Sequence, residues 1–223
     1  MKKLVMAAVI VACAASMVSA QVYSANIVGY NKDVGTTGLH ISGYAFMSDD
    51  TSPQGVFGDQ LPLGTKLYAF TGSGYDISEY SSVFDYNTYT YVDAWDPNTL
   101  DLGGATGFWV ELPSDATAIL SGEVEMADAV TNNLAVGLQL ISNPYPVSSQ
   151  VKDMGFTPAL GDKIYAFTGS GYDISEYSSV FDYNTYTYVD SWDPATLTID
   201  VGEGFWYEAT TEQTWVANRP FTP

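Results

Sequence analysis

YAFTGSGYDISEYSSVFDYNTYTYVD, from Tyr68 to Asp93, occurs twice in this chain of 223 residues: it returns unchanged at Tyr165 to Asp190, 97 positions later. Six tyrosines and two phenylalanines are spread through it, with Gly72 and Gly74 close together near its start. Aromatic and β-branched residues between turn residues predict strands. The segments Leu67 to Phe70 and Tyr75 onward flank Thr71-Gly72-Ser73-Gly74 as a hairpin, whose glycines accept positive φ. A second hairpin follows, with Tyr80 to Phe84 and Tyr89 to Trp95 on either side of Asp85-Tyr86-Asn87-Thr88.

Each copy then runs through Trp-Asp-Pro (Trp95 to Pro97, Trp192 to Pro194) into an apolar strand, Gly107-Phe108-Trp109-Val110 or Gly204-Phe205-Trp206-Tyr207. A strand apolar on both sides reads as central and buried. Leu100 and Leu102 predict a brief strand before it, and Ala116 to Val124 or Thr214 to Phe221 a closing one. Upstream, Gly38-Leu39-His40-Ile41 matches Gly137-Leu138-Gln139-Leu140 at an offset of 99, so the first copy is two residues longer before the identical block, most simply in a loop around Ser48 to Gln54. Val22 to Tyr30 predicts a lead-in strand, and helix is limited to one turn near Ser149 to Met154.

The fold class is therefore all-β, as two tandem homologous small β-sandwich or barrel domains. Residues 21–127 hold the lead-in strand and repeat 1, and residues 128–223 hold repeat 2. The alternative is one larger sandwich built from both repeats.

Lys2 and Lys3, the apolar run Leu4 to Ala15, and Val18-Ser19-Ala20 read as a signal peptide over residues 1–20. Export follows, to the extracellular space, cell surface or periplasm. Lipidation of Cys13 is the competing reading. Without the leader the chain keeps 5 basic side chains against 26 acidic ones and loses its only cysteine. A net charge near −21 repels phosphate backbones and anionic lipid, which argues against nucleic acid and against electrostatic membrane binding. No later segment is apolar over the length of a membrane span, so no insertion is expected after signal removal.

The pattern Gly-x-x-Leu-Ile-Ser-Asn-Pro (Gly137 to Pro144), Gly-x-Lys-x-Tyr (Gly161 to Tyr165) and Gly-x-Gly-Phe-Trp (Gly202 to Trp206) resembles exported tandem-repeat proteins of verrucomicrobial and kiritimatiellial bacteria. Tyr23 to Tyr30 is similar too. The resemblance implies an exported repeat protein with no chemistry to carry over. Repeat 1 departs from it, with Ile41-Ser42-Gly43-Tyr44 at the Asn-Pro step and Gly104-Ala105-Thr106-Gly107 for Gly-x-Gly.

His40 is the only histidine and its counterpart is Gln139, which leaves a hydrolase triad or histidine metal site little to work with. Asp76, Glu79, Asp85, Asp93 and Asp96, each with a twin at plus 97, are candidate carboxylates for a glycosidase, but no spacing selects a pair. No cofactor is implied beyond possible calcium: Asp85-Tyr86-Asn87 begins like a calcium loop and then gives Thr88 and Tyr89. The strand period of two puts Tyr89, Tyr91 and Trp95 on one face. Exposed, that face is an aromatic rail for sugar rings, with Asp93 and Asn87 for the hydroxyls; buried, it is core. Its twin is Tyr186, Tyr188 and Trp192 with Asp190 and Asn184. Identity of the two blocks suits two equivalent sites, and a local copying event, favoured by the diverged flanks, accounts for it as well.

The expected function is a non-enzymatic structural or adhesive protein of the cell surface or matrix, its partners polysaccharide or copies of itself. A bivalent carbohydrate-binding module is the alternative, and a carboxylate-dependent glycosidase the third.

Overall fold

A computed structural model describes residues 27–183 and 185–222. The expected signal peptide, Cys13 and Asn184 lie outside them. Repeat 1 runs β1 (Val28–Gly35), β2 (Gly38–Gly43), α1 (Pro53–Phe57), β3 (Lys66–Phe70), β4 (Tyr75–Asp85), β5 (Thr90–Asp96), β6 (Gly107–Leu112) and β7 (Ala116–Glu123). Repeat 2 runs β8 (Ala129–Leu134), β9 (Gly137–Ser142), β10 (Ser149–Gln150), a 3-10 turn (Val151–Asp153), β11 (Lys163–Phe167), β12 (Tyr172–Asp182), β13 (Thr187–Asp193), β14 (Thr198–Ile199), β15 (Gly204–Ala209) and β16 (Gln213–Asn218).

The fold is all-β, in two similar halves. Each has an antiparallel five-stranded sheet, ordered β2-β6-β3-β4-β5 or β9-β15-β11-β12-β13, and a two-stranded ribbon, β1-β7 or β8-β16. β10 and β14 form a further small pair. Every named strand pairs within its own repeat. The division expected at 127/128 falls in the connector between β7 and β8. Of the lead-in segment, residues 22–26 lie outside the described residues, and Val28 to Tyr30 open β1, which runs on to Gly35 and pairs along β7 as β8 pairs along β16. It is the first strand of repeat 1, not a preface to it.

Alternation along the strands sends one face inward. In β6, Phe108, Val110 and Leu112 are buried with Leu67 of β3, Tyr80 of β4 and Trp95 of β5 around Phe57 of α1. In repeat 2, Phe205, Tyr207, Ile164, Trp192 and Trp215 form the equivalent core. Each fully buried large side chain contributes about 1.5–3 kcal/mol through apolar area removed from water.

Two local expectations need correction. Leu100 and Leu102 form no strand; both are buried in the core of repeat 1, and only repeat 2 pairs the corresponding segment, as β14. The helix α1 was not expected, although Ser52-Pro53 is a start signal: the Ser52 hydroxyl accepts from the Gly55 amide and Pro53 opens the first turn.

The outer faces of the two five-stranded sheets meet across a reciprocal contact. Gly43 N–H donates to Gly202 O at 2.8 Å, and Ser142 N–H donates to Ala105 O at 2.9 Å. Gly43 and Ser142 are equivalent positions, as are Ala105 and Gly202, so the same contact is made twice with the repeats exchanged. That is the signature of an internal pseudo-twofold axis. Isolated bridges Ser42 to Glu203 and Thr106 to Ile141 repeat the relation.

Candidate functional site

β4 is 11 residues long and β3 only 5, so their register ends at Lys66 opposite Glu79. Beyond that point β4 and β5 continue as a two-stranded hairpin. One of its faces carries Tyr80 opposite Trp95, Ser82 opposite Asp93, and Phe84 opposite Tyr91. Over three steps this face leaves the core. Trp95 is 3% exposed and its Nε1 donates to Gly58 O at 2.9 Å, whereas Tyr91 is 73% exposed.

At the tip Tyr86 and Tyr89 join Tyr91, at 80% and 78% exposure. The three rings surround Phe84 edge-on, with centroids 5.0, 6.4 and 5.3 Å away. Phe181 is placed in the same way among Tyr183, Tyr186 and Tyr188, at 5.0, 6.4 and 5.3 Å. Edge-on packing orders the rings against one another while most of each tyrosine's surface stays in water.

The turn that carries them is held by Asp85. Its carboxylate accepts from Asn87 N–H at 2.7 Å and from Thr88 Oγ1 at 2.8 Å, and its carbonyl accepts from Tyr89 N–H at 2.8 Å. The Asn87 amide, then the Thr88 hydroxyl, hold the Asp85 carboxyl below the usual carboxylate range. Tyr89 and Tyr186 take φ of 56° and 55°, the left-handed region that disfavours a bulky side chain. That conformation costs a tyrosine about 1–2 kcal/mol, and the ring it carries stays 78–79% exposed.

Of the residues expected at the site, Tyr89, Tyr91, Tyr186 and Tyr188 are exposed together with their aromatic neighbours. Asp93 and Asp190 lie one strand step below, each accepting from a serine, Ser82 or Ser179, at 2.5 Å. Asn87 contributes its amide to the turn. Trp95 and Trp192 are a correction: both are core residues at 3% and 7% exposure. Parity was right for Trp95 and Tyr91, which share a face, but that face starts above the core and ends beyond it. Tyr89 is outside the strand, in the turn, where parity does not apply. Sequence reading left out Tyr86, Tyr183, Phe84 and Phe181, although all four lie in the identical block.

Among the other candidate acids, Glu79 pairs with Lys66 at 3.9 Å and its twin Glu176 with Lys163 at 3.8 Å. His40 directs Nε2 to Thr36 O at 2.5 Å. It lines a polar cleft between the repeats with Asp33, Ser42, Asp200 and Glu203. Burial pushes the Asp33 and Glu203 carboxyls up. The equivalent positions across the pseudo-twofold carry Asn132, Gln139, Ile141, Gly103 and Thr106, so this cleft belongs to one side only. Among the described residues, no three His, Cys, Asp or Glu side chains are grouped to hold a metal ion, and no helix is long and apolar enough to cross a membrane.

The chain matches no family model, no curated protein and no solved structure.

Proposed function

We propose that the chain is an exported, non-enzymatic adhesive protein that holds neutral polysaccharide through two equivalent tyrosine-tipped hairpins. One observation carries this reading: six tyrosines stand 73–80% exposed in two identical clusters, each ordered around a half-buried phenylalanine. Rings with free π faces stack on sugar rings, and the adjacent Asp93 and Asp190 carboxylates accept from hydroxyls. The net charge, near −21 once the leader is removed, disfavours anionic polymers and leaves neutral ones. Two tips on one chain add avidity, which suits adhesion to a repetitive polymer.

The test is retention of the purified protein on insoluble and soluble polysaccharides, with and without calcium. Changing Tyr89, Tyr91, Tyr186 and Tyr188 to alanine abolishes retention, and changing one tip alone removes the avidity gain, on the order of 100-fold. Unchanged retention by the four-site variant, or no retention of the parent protein on any glycan, sinks the reading.

A further inference from the structure

The outer faces of the two five-stranded sheets do not close fully where they meet. Phe70, Trp109 and Tyr75 from repeat 1 and Tyr165, Tyr172 and Trp206 from repeat 2 line a groove of about 470 Å³. None of these residues belongs to the tyrosine tips of the β4-β5 or β12-β13 hairpins. Tyr75 and Tyr172 keep 44% and 42% of their surface exposed at its rim, while Trp206 is nearly buried in its floor. Polar groups are few: Tyr165 donates its hydroxyl to Glu208, which also lines the groove, and outside the groove the twin residue Tyr68 donates to Glu111. Desolvation, then the adjoining carboxylates, push both hydroxyls up to about 12, so they stay protonated.

We propose that this inter-repeat aromatic groove is a second binding site, taking a segment of neutral polysaccharide between the rings of the two repeats. The inference rests on the polysaccharide reading of the tips and extends it to a site that exists only while the repeats are docked. Aromatic walls with a few convergent hydroxyl and carboxylate groups match the two kinds of surface on a sugar ring, its C–H faces and its hydroxyl edge. Charge selects against the other occupants. A second copy of the chain brings another net charge near −21 to a face that already carries Glu208, Glu111, Glu79 and Glu176. Lys66 and Lys163 on these outer faces pair with Glu79 and Glu176, so among the described residues an anionic polymer meets no free cation at the groove.

The experiment uses soluble cellohexaose, mannohexaose, xylohexaose and maltohexaose with the full protein. Tryptophan fluorescence reports the groove through Trp109 and Trp206, and calorimetry reports total binding. A variant with Tyr89, Tyr91, Tyr186 and Tyr188 changed to alanine is expected to keep the fluorescence response to at least one hexasaccharide. Tyr75→Ala with Tyr172→Ala, folded by circular dichroism, is expected to lose that response and to weaken the affinity about tenfold or more. Groove variants that bind as the parent does, while the tip variant binds nothing, overturn the groove and leave the tips standing. A parent protein that binds none of the sugars overturns both. Sedimentation showing a dimer that Tyr75→Ala and Tyr172→Ala dissolve overturns the groove as a sugar site, because a second copy then fills it.

Discussion

Phe70 of repeat 1 meets Trp206 of repeat 2 edge-on with ring centroids 4.9 Å apart, and Phe167 of repeat 2 meets Trp109 of repeat 1 at the same 4.9 Å. Each pair draws one ring from each repeat, and the second is the first with the repeats exchanged. An isologous contact of this kind is what two copies of one domain make when they dimerise. Here the linker makes it intramolecular, so docking draws on the high effective concentration of a tethered partner. The identical block supplies Phe70 and Phe167, and the central strands β6 and β15 supply Trp109 and Trp206. A double-mutant cycle on Phe70→Ala and Trp206→Ala is expected to give a coupling of about 0.5–1.5 kcal/mol. A coupling of zero would mean that the two repeats do not touch in solution.

The close approach behind that contact depends on two glycines. A Cβ on Gly107 would lie 2.6 Å from Ile141 O, and one on Gly204 would lie 2.6 Å from Ser42 O. Both obstacles are backbone and cannot swing aside. Gly107→Ala and Gly204→Ala are each expected to cost about 1–3 kcal/mol in urea denaturation, by forcing the sheets apart. Gly74→Ala is the control. Its nearest neighbour is 4.0 Å away, and its effect should stay within about 0.5 kcal/mol.

Strand periodicity and turn chemistry made most of the architecture legible. The glycine turn at Thr71 to Gly74, the second hairpin and the central apolar strands all follow from local rules. What stayed hidden depends on where a strand is relative to the core. Tyr91 and Trp95 share a face, yet only the short length of β3, not any property of β5, decides that one is wet and the other dry. Trp109 reads as buried, correctly in part, but nothing in the sequence says that the other repeat covers it. Tyr89 shows the limit of parity most plainly, since a tyrosine in a left-handed turn conformation has no periodic signal at all.

That conformation gives a prediction of its own. Tyr89→Gly removes the steric penalty of φ 56° and is expected to stabilise the hairpin by up to about 1 kcal/mol, offset in part by the lost edge contact with Phe84. The same change is expected to weaken polysaccharide retention. Thermal unfolding and affinity electrophoresis on one preparation read the two effects. Stability gained and retention lost together would identify the ring as kept for binding.

Asp162 is the fully buried carboxylate of repeat 2. It accepts five hydrogen bonds, from Tyr207 Oη, Gln213 Nε2 and the Ala159 amide on one oxygen and from the Thr210 amide and hydroxyl on the other, at 2.6–3.0 Å. Burial alone would raise its pKa, but the hydrogen bonds, led by Thr210, outweigh it and hold the carboxyl below the ordinary range. A depressed folded value means stability that is fully present above the unfolded pKa of about 4 and is lost as pH falls through the folded one. Asp162→Asn is expected to cost about 2–4 kcal/mol at pH 7, because five donors then face an amide. It is also expected to flatten the acid limb of the stability curve below about pH 4. Repeat 1 has Thr65 and Val110 at the positions of Asp162 and Tyr207, so no matching loss is expected there.

Arg219 ties the end of the chain to the connector between the repeats. Its guanidinium donates to Met126 O, to Phe221 O at 3.1 Å and to Asp128 Oδ1 at 2.9 Å, while its own amide donates to Asp128 O at 2.9 Å. Phe221, held by this clamp, packs on Tyr145 and borders the cores of both repeats. The Arg219 side chain is 15% exposed and that of Asp128 is 96% exposed, so the carbonyl contacts and not the ion pair should dominate. Arg219→Ala is expected to cost about 1–2 kcal/mol, since it leaves two half-buried carbonyls unpaired. Arg219→Lys should recover only part of that, because an ammonium cannot fork between Met126 and Phe221. Asp128→Ala should cost less than about 1 kcal/mol. Denaturation midpoints for the three variants decide the order, and an Asp128→Ala loss as large as that of Arg219→Ala would reassign the clamp to its surface charge.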